Sequence, residues 1–437
     1  MARELKNCGY DRIGEIPLFW DVKKMKYVAQ LFTGNSIKDE EKEFYEDPEN
    51  AVPYLSSKDI DATYYSANYE NGMYVKENDQ SFKFAHAGSS LMCIEGGSAG
   101  RKKTQLTKKV AFVNKLCCFE PTNIDSDFLY YWLCSPNFED EFKQNITGLI
   151  GGVSVSVLQN FVVAIPPMPE QTAIASFLHR KCAEIDSIVA ETEKTIEEYR
   201  SLKRATITKA VTKGVRGNRP MMDSGIEWLG DIPEDWSLLR KLSYKAKKGI
   251  SYGIVKLFDP DDENGVKVLR CSDVREGFID TANIRTVTQE ISAEYSRTIL
   301  EGGEVLINVR GTLGGCAVVP KDMKGYNIAR EVAMVSADIH NRFLMYYFLS
   351  NPFITYEERH LAGSVYIGLN IEMLSACPIP LPPDEEQNEI ADYLDARCAE
   401  IDSLIAAKQQ LLAEMDFYRK TLIYEYVTGK KEVPACQ

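Results

Sequence analysis

The sequence predicts an α+β fold. It has two similar globular domains and two long helices that pair as an antiparallel coiled coil, related by a pseudo-twofold internal repeat. Three observations predict it. The pentapeptide Cys-Ala-Glu-Ile-Asp occurs at 182–186 and again at 398–402, 216 positions later. The proline junctions PPMPEQ (Pro166–Gln171) and PPDEEQ (Pro382–Gln387) repeat at the same interval. A heptad pattern of apolar residues follows each junction. A period this long is not a solenoid repeat, so a whole domain with an appendage has been doubled.

The totals fit such a protein. The chain has 437 residues, 44% apolar and 26% charged, enough for several cores. No run approaches about 18 uninterrupted apolar residues, the length that marks a membrane span. The start, MARELKNCGYDRIGEIP, lacks the apolar core of a secretory signal. A cytoplasmic location and no membrane partner are expected. The eleven cysteines are odd in number, irregularly spaced and without a Cys-x-x-Cys pair. They are expected as buried, reduced thiols, with no bound metal.

The elements follow in order. Residues 1–165 form the first domain. It opens on IGEIPLFW (Ile13–Trp20), whose copy is LGDIPEDW (Leu229–Trp236). YVAQLFTG (Tyr27–Gly34) ends in a glycine turn, and SLMCIEGGSAG (Ser90–Gly100) is a buried strand running into a glycine-rich loop. DFLYYWLCS (Asp127–Ser135) has helical apolar spacing.

Residues 166–214 form the first long helix. It starts after the prolines at 166–169, with Glu170 where the dipole favours negative charge, and stops at Gly214. Its seam is Leu178, Cys182, Ile185, Val189, Thr192, Ile196 and Tyr199.

Residues 215–381 form the second domain, with SYKAKKGIS (Ser243–Ser251), EVLINVRGTLGG (Glu304–Gly315) and RFLMYYFLS (Arg342–Ser350) as the matching pieces. Residues 382–437 form the second long helix and tail, with the seam Leu394, Cys398, Ile401, Ile405, Lys408, Leu412 and Met415. The polar pair Thr192 and Lys408 sits at the same place in each seam, where such residues fix register. Helices of about 44 residues are roughly 66 Å long, against about 34 Å for a turn of B-DNA. Paired, they would hold the two domains apart.

Net charge is −13. A total does not describe a surface, and basic residues are segregated into windows at Arg101–Lys109, Arg200–Arg219 and Arg240–Lys248. The glycine loops match neither the phosphate-loop nor the dinucleotide-loop spacing. They are either tight turns or places where backbone amides approach DNA phosphate, with Arg101, Lys102, Lys103 and Arg310 beside them. In the stretches Tyr54–Tyr69 and Val268–Asp280, the side chains of Ser57, Lys58, Arg270, Ser272 and Arg275 are candidates for base edges or phosphates. Ordinary surface polarity is the alternative for each.

No catalytic, cofactor-binding or metal residue is assigned. The four histidines lack His-Glu-x-x-His spacing and no Gly-x-Ser-x-Gly elbow occurs. SPNF (Ser135–Phe138) and SNPF (Ser350–Phe353) superficially resemble an adenine-methyltransferase motif. Each has a single proline, and no glycine-rich cofactor motif accompanies them.

The paired GEIPLFW/GDIPEDW starts, the IPPMPEQ/LPPDEEQ junctions and the Cys-Ala-Glu-Ile-Asp helices resemble the specificity (S) subunit of type I restriction–modification systems, over nearly the whole chain. The resemblance implies two target-recognition domains, about 18–165 and 234–381, each reading one half of a bipartite double-stranded DNA target. It implies helices that dock two methyltransferase (M) subunits, with restriction (R) subunits joining. S-adenosylmethionine, and ATP with Mg2+ for cleavage, would sit on those partners and none on this chain. Two rival readings fit the same residues: a duplicated coiled-coil adaptor that never touches DNA, and a fused methylation or restriction enzyme.

Overall fold

The computed structural model describes residues 3–148, 151–255, 265–311, 314–361 and 368–434. The chain forms two compact units, Met1–Glu193 with Gln410–Gln437, and Lys194–Gln409. Each unit therefore takes one stretch of each long helix, and the boundaries between domain and helix are not the boundaries between units.

In the first unit two four-stranded sheets meet. One orders Ala29–Thr33, Leu116–Pro121, Ser90–Cys93 and Lys103–Gln105, all antiparallel. The other orders Tyr74–Lys76, Ala51–Leu55, Val110–Phe112 and Phe84–Ala85, with a parallel pair at Ala111 and Tyr54. Leu116 to Phe119 are all buried, because this strand is covered on both faces; that is why it reads as an unbroken apolar run. The second unit repeats the plan. Ser251–Tyr252, Val332–Val335, Val305–Asn308 and Cys316–Val318 form one sheet; Arg285–Val287, Val266–Leu269 and Asn327–Ile328 form the other, parallel at Val268 and Asn327.

The register repeats to the residue at the domain bases. Asp21 pairs with Ile165, and 216 positions on, Ser237 pairs with Leu381. Leu5 pairs with Pro17, and Met221 with Pro233. Close approach recurs too: a Cβ on Gly34 would lie 1.8 Å from the Phe112 carbonyl oxygen, and one on Gly253 would lie 1.8 Å from that of Ile328. No side chain fits either place.

The long helices span Met168–Lys213 (46 residues) and Asp384–Val427 (44 residues). Each ends at a glycine with left-handed backbone, Gly214 (φ 75°) and Gly429 (φ 69°). Leu178, Ile185, Val189, Ile196, Leu394, Cys398 and Ile401 are buried, while Cys182, Ile405 and Leu412 are half-buried. Thr192 is buried, and its hydroxyl donates to the Ile188 carbonyl at 2.7 Å, so that hydroxyl is not stranded in the seam.

Within each unit the two helical stretches run antiparallel. In the first, Phe177 stacks on Tyr426 (centroids 4.5 Å apart), and nine residues further along Asp186 pairs with Arg419, seven residues back. In the second, Lys203 pairs with Asp402 at 2.7 Å. Adding 216 to Asp186 gives Asp402, and subtracting it from Arg419 gives Lys203. The acid of each repeated pentapeptide thus grips a cation on the other helix. The glutamate of each is held by its own helix, Glu184 by Lys181 at 2.6 Å and Glu400 by Arg397 at 2.5 Å. The pentapeptide recurs because both its seam residues and its acids are used twice in the same pairing.

A second doubled device fixes each domain to its helix. Trp20 Nε1 donates to Glu170 at 2.9 Å, Arg3 pairs with the same carboxylate, and the Arg3 guanidinium lies 5.3 Å from the indole centroid. Trp236 Nε1 donates to Glu386 at 3.0 Å, Arg219 pairs with that carboxylate at 2.5 Å, and its guanidinium lies 5.2 Å from the indole. Gln171 and Gln387 complete the junction. Each donates to a proline carbonyl at 2.9 Å, Pro166 or Pro382, and accepts from a backbone N–H at 2.8 Å, Asp125 or His340. The Pro-Pro-x-x-Glu-Gln motif is therefore the joint between domain and helix.

The ten described cysteines are free thiols. Burial pushes the Cys118 thiol up to about 12. Among the described residues no group of three His, Cys, Asp or Glu is placed to hold a metal ion, and no helix is long and apolar enough to cross a membrane.

Candidate nucleic-acid interface

In each unit the chain leaves a buried strand into a turn held by an aspartate, and a glycine loop is tied to that turn. In the first unit, Asp59 Oδ2 accepts from the Ser56 N–H and hydroxyl, both at 2.7 Å. Lys102 Nζ donates to the Ser57 carbonyl at 2.8 Å, bringing the loop 95–102 alongside. Gly96 (φ 83°) and Gly100 (φ 75°) supply the left-handed backbone that this loop needs. Arg101 folds back onto the Gly97 carbonyl.

The second unit places matching residues. Asp273 accepts from the Arg270 N–H and the Ser272 hydroxyl, both at 2.9 Å. Asn308 Nδ2 donates to the Cys271 carbonyl at 2.9 Å and the Val274 carbonyl at 3.1 Å, joining strand end to turn. Exposed around these loops are Lys58 and Arg101 in the first unit, and Ser272, Arg275 and Arg310 in the second; Ser57 and Lys102 are half-buried. The Arg310 guanidinium lies 5.6 Å from the Tyr252 ring, which steadies a long side chain while leaving its charge available.

Two expected contacts are corrected. Lys103 is 1% exposed; its ammonium lies 2.8 Å from Glu139 and donates to the Leu133 carbonyl at 3.0 Å. It opens the strand Lys103–Gln105, where successive side chains take opposite faces, so Lys103 points inward under the helix Pro136–Gln144. It is a buried structural cation and cannot reach DNA. Arg270 spends its guanidinium within the turn, on Asp273 at 3.0 and 3.1 Å and on the Asn283 carbonyl at 2.7 Å. Asp273 holds the Arg270 proton above its ordinary range. Arg270 shapes the loop and offers no free charge.

The aromatic stretch Tyr54–Tyr69 is also partly withdrawn. Arg419 donates to the Thr63 carbonyl at 3.2 Å, and Tyr64 donates to Glu193, which pushes the Tyr64 phenol up to about 12. Tyr65, with φ 51°, lies between the Lys103 ammonium (5.9 Å) and the Arg419 guanidinium (6.0 Å). Residues 63–65 therefore dock on the long helices. Nothing in the local pattern distinguishes them from surface aromatics. The serines of SPNF and SNPF join successive helices: Ser135 caps Pro136–Gln144 by accepting from the Phe138 N–H at 3.4 Å, and the Ser135 and Ser350 hydroxyls donate to the Trp132 and Tyr347 carbonyls at 2.7 and 2.6 Å.

The comparisons agree with this doubled frame. The model of the type I restriction modification DNA specificity domain matches residues 17–198 and again 250–414. The specificity subunit of the type I restriction enzyme EcoBI of Escherichia coli is 24% identical, over 94% of this chain and 86% of that one. The MjaVIII specificity subunit of Methanocaldococcus jannaschii is 26% identical, over 96% and 94%. A chain solved in work on complex assembly and conformational transition of the type I R-M system has the same fold, with TM-score 0.67 and 16% identity, over 95% of this chain and 99% of that one. With the specificity domain matched twice and relatives aligned along nearly its whole length, this chain belongs to the type I restriction–modification DNA specificity family.

Proposed function

We propose that the specificity function is divided between two readers, each domain taking one half of a bipartite DNA target through its aspartate turn and glycine loop. The observation that carries this is the pairing of a shared frame with unlike tips. The same turn is tied in both copies, by Lys102 of the glycine loop in one and by Asn308 at the strand end before that loop in the other, but Lys58, Arg101 and Lys102 stand on one, and Ser272, Arg275 and Arg310 on the other. Different side chains on one frame read different half-sites. Methylome sequencing of a host expressing this chain with its cognate methyltransferase subunit tests it. A split motif with two unlike halves is expected, and a palindromic motif would refute it.

The chain performs no chemistry itself. S-adenosylmethionine, and ATP with Mg2+ for cleavage, belong to partner subunits, and methyl transfer by the purified chain alone would overturn this. Two methyltransferase subunits dock on the long helices. Large apolar side chains stand exposed there: Ile188, Phe417 and Tyr418 in the first unit, Leu202 and Leu404 in the second. Adding 216 to Ile188 gives Leu404, and to Leu202 gives Tyr418, so each unit offers a like surface, which suits two copies of one partner. Helix length sets the spacing of the half-sites. Deleting one heptad from each helix shortens that spacing in the methylome, and an unchanged spacing counts against the ruler.

A further inference from the structure

The second unit holds a cavity of about 330 Å³ against the helix Asn351–Leu361. Glu357, on the helix Asn351–Leu361, lines it and is only 8% exposed, with no hydrogen-bond or ion-pair partner among the described residues. Its position in the first copy, 215 residues earlier, is Phe142, which is 1% exposed. Phe142 packs so tightly beneath the glycine loop that a Cβ on Gly100 would lie 2.7 Å from its ring. The first domain thus fills this place with an aromatic plug, and the second leaves a hole with a carboxyl group in it. An unpartnered buried carboxyl is costly, and fold stability alone gives no reason to prefer it over the phenylalanine.

The rest of the wall says what fits. Phe348 and Phe353, with ring centroids 4.8 Å apart, supply aromatic surface, and Ile307 and Ile354 add aliphatic surface. Glu276 and Glu358 add two more carboxylates, against one cation among the described residues, Arg204. Burial, with Glu358 beside it, pushes the Glu357 carboxyl up to about 7, and a bound cation would relieve that cost. Aromatic faces, an aliphatic wall and an excess of carboxylates suit a cation carried on a hydrocarbon stem.

We propose that this cavity binds an alkylammonium or alkylguanidinium group, supplied either by a lysine or arginine of a partner subunit or by a free polyamine, with Glu357 as its counter-ion. The inference does not depend on how DNA is read. The test titrates the full chain with n-butylammonium and n-butylguanidinium at pH 8 by calorimetry, with n-butanol as the uncharged control. Saturable binding of at least one cation and none of the alcohol is expected. Glu357→Gln weakens it at least tenfold, and Glu357→Phe, which installs the first copy's plug, abolishes it. Repeating the titration on the complex with the methyltransferase subunit separates the sources. Exclusion of the probe assigns the site to a partner side chain, and retained binding assigns it to a free amine. Absence of saturable binding to the wild-type chain, or equal binding by wild type and Glu357→Gln, would overturn the proposal.

Discussion

The doubled tryptophan–glutamate–arginine joint makes a quantitative prediction, because its two copies differ sharply in burial. Glu386 is fully buried, with Arg219 14% exposed, whereas Glu170 is 29% exposed and Arg3 21%. Removing Glu386 strands the Trp236 N–H and leaves the Arg219 guanidinium, among the described residues, with Asp235, 3.3 Å away, and the Lys213 carbonyl. Breaking one side of a buried pair costs about 3–5 kcal/mol, and those residual partners place this case near 3. Around Glu170 water can replace what is lost, so the same change costs about 1 kcal/mol. A chain of two units need not unfold in one step, so a single melting temperature is the wrong observable. Hydrogen exchange resolved by segment is the right one. Glu386→Ala should speed exchange of the strands 305–308 and 332–335 by about two orders of magnitude. Glu170→Ala should speed strands 90–93 and 116–121 by about fivefold. Equal acceleration in the two units would refute the argument from burial. Acceleration of the first unit's strands by Glu386→Ala would refute the assignment of the joint to its own unit.

Three further outcomes are expected. Lys103→Met should destabilise the first unit by about 2–4 kcal/mol in urea melts, because Glu139 loses its buried partner, while the salt dependence of DNA binding stays unchanged; Lys58→Ala or Arg101→Ala should do the reverse, lowering that slope by about one. Exchanging the charges of Lys203 and Asp402 one at a time should each cost about 1 kcal/mol, and the double exchange should recover it in a double-mutant cycle. Glu357 holds its proton up to about 7 when folded against 4.5 ordinarily, so its contribution is full below pH 4.5 and is lost as pH rises through 7. The second unit of the wild type should therefore weaken by about 2 kcal/mol between pH 5 and 8, allowing for partial solvent access, and Glu357→Gln should flatten that slope in segment-resolved exchange.

Much of this fold is legible in the sequence because its long helices obey a strict period. Leu178, Ile185 and Val189 announce a seam by spacing alone, and a doubled seam announces a pair. The junction motif is legible as a repeat, but its work is not: that Glu386 binds Trp236, 150 positions earlier, depends on chain paths that no local pattern encodes. The candidate interface is less legible. Arg101, Lys102 and Lys103 are three adjacent cations of one chemistry, and only the start of a strand at Lys103 sorts them into exposed, tied and buried. Arg270 carries the same charge as Arg310, yet Asp273 three residues later claims it. The plug at Phe142 and the carboxyl at Glu357 are visible as an unlike pair in the alignment of the copies, but the hole behind one of them is not.

The stretch Gln410–Val427 completes the core of the first unit: Leu422, Ile423, Tyr426 and Val427 pack with Trp20, Phe128 and Trp132. On the ribosome, the domain translated first must therefore wait for residues 410–427 before it can finish folding, by which point all of Lys194–Gln409 has been made. A stop codon near codon 410 would accordingly ruin the unit whose strands are translated first and spare the one translated just before the stop.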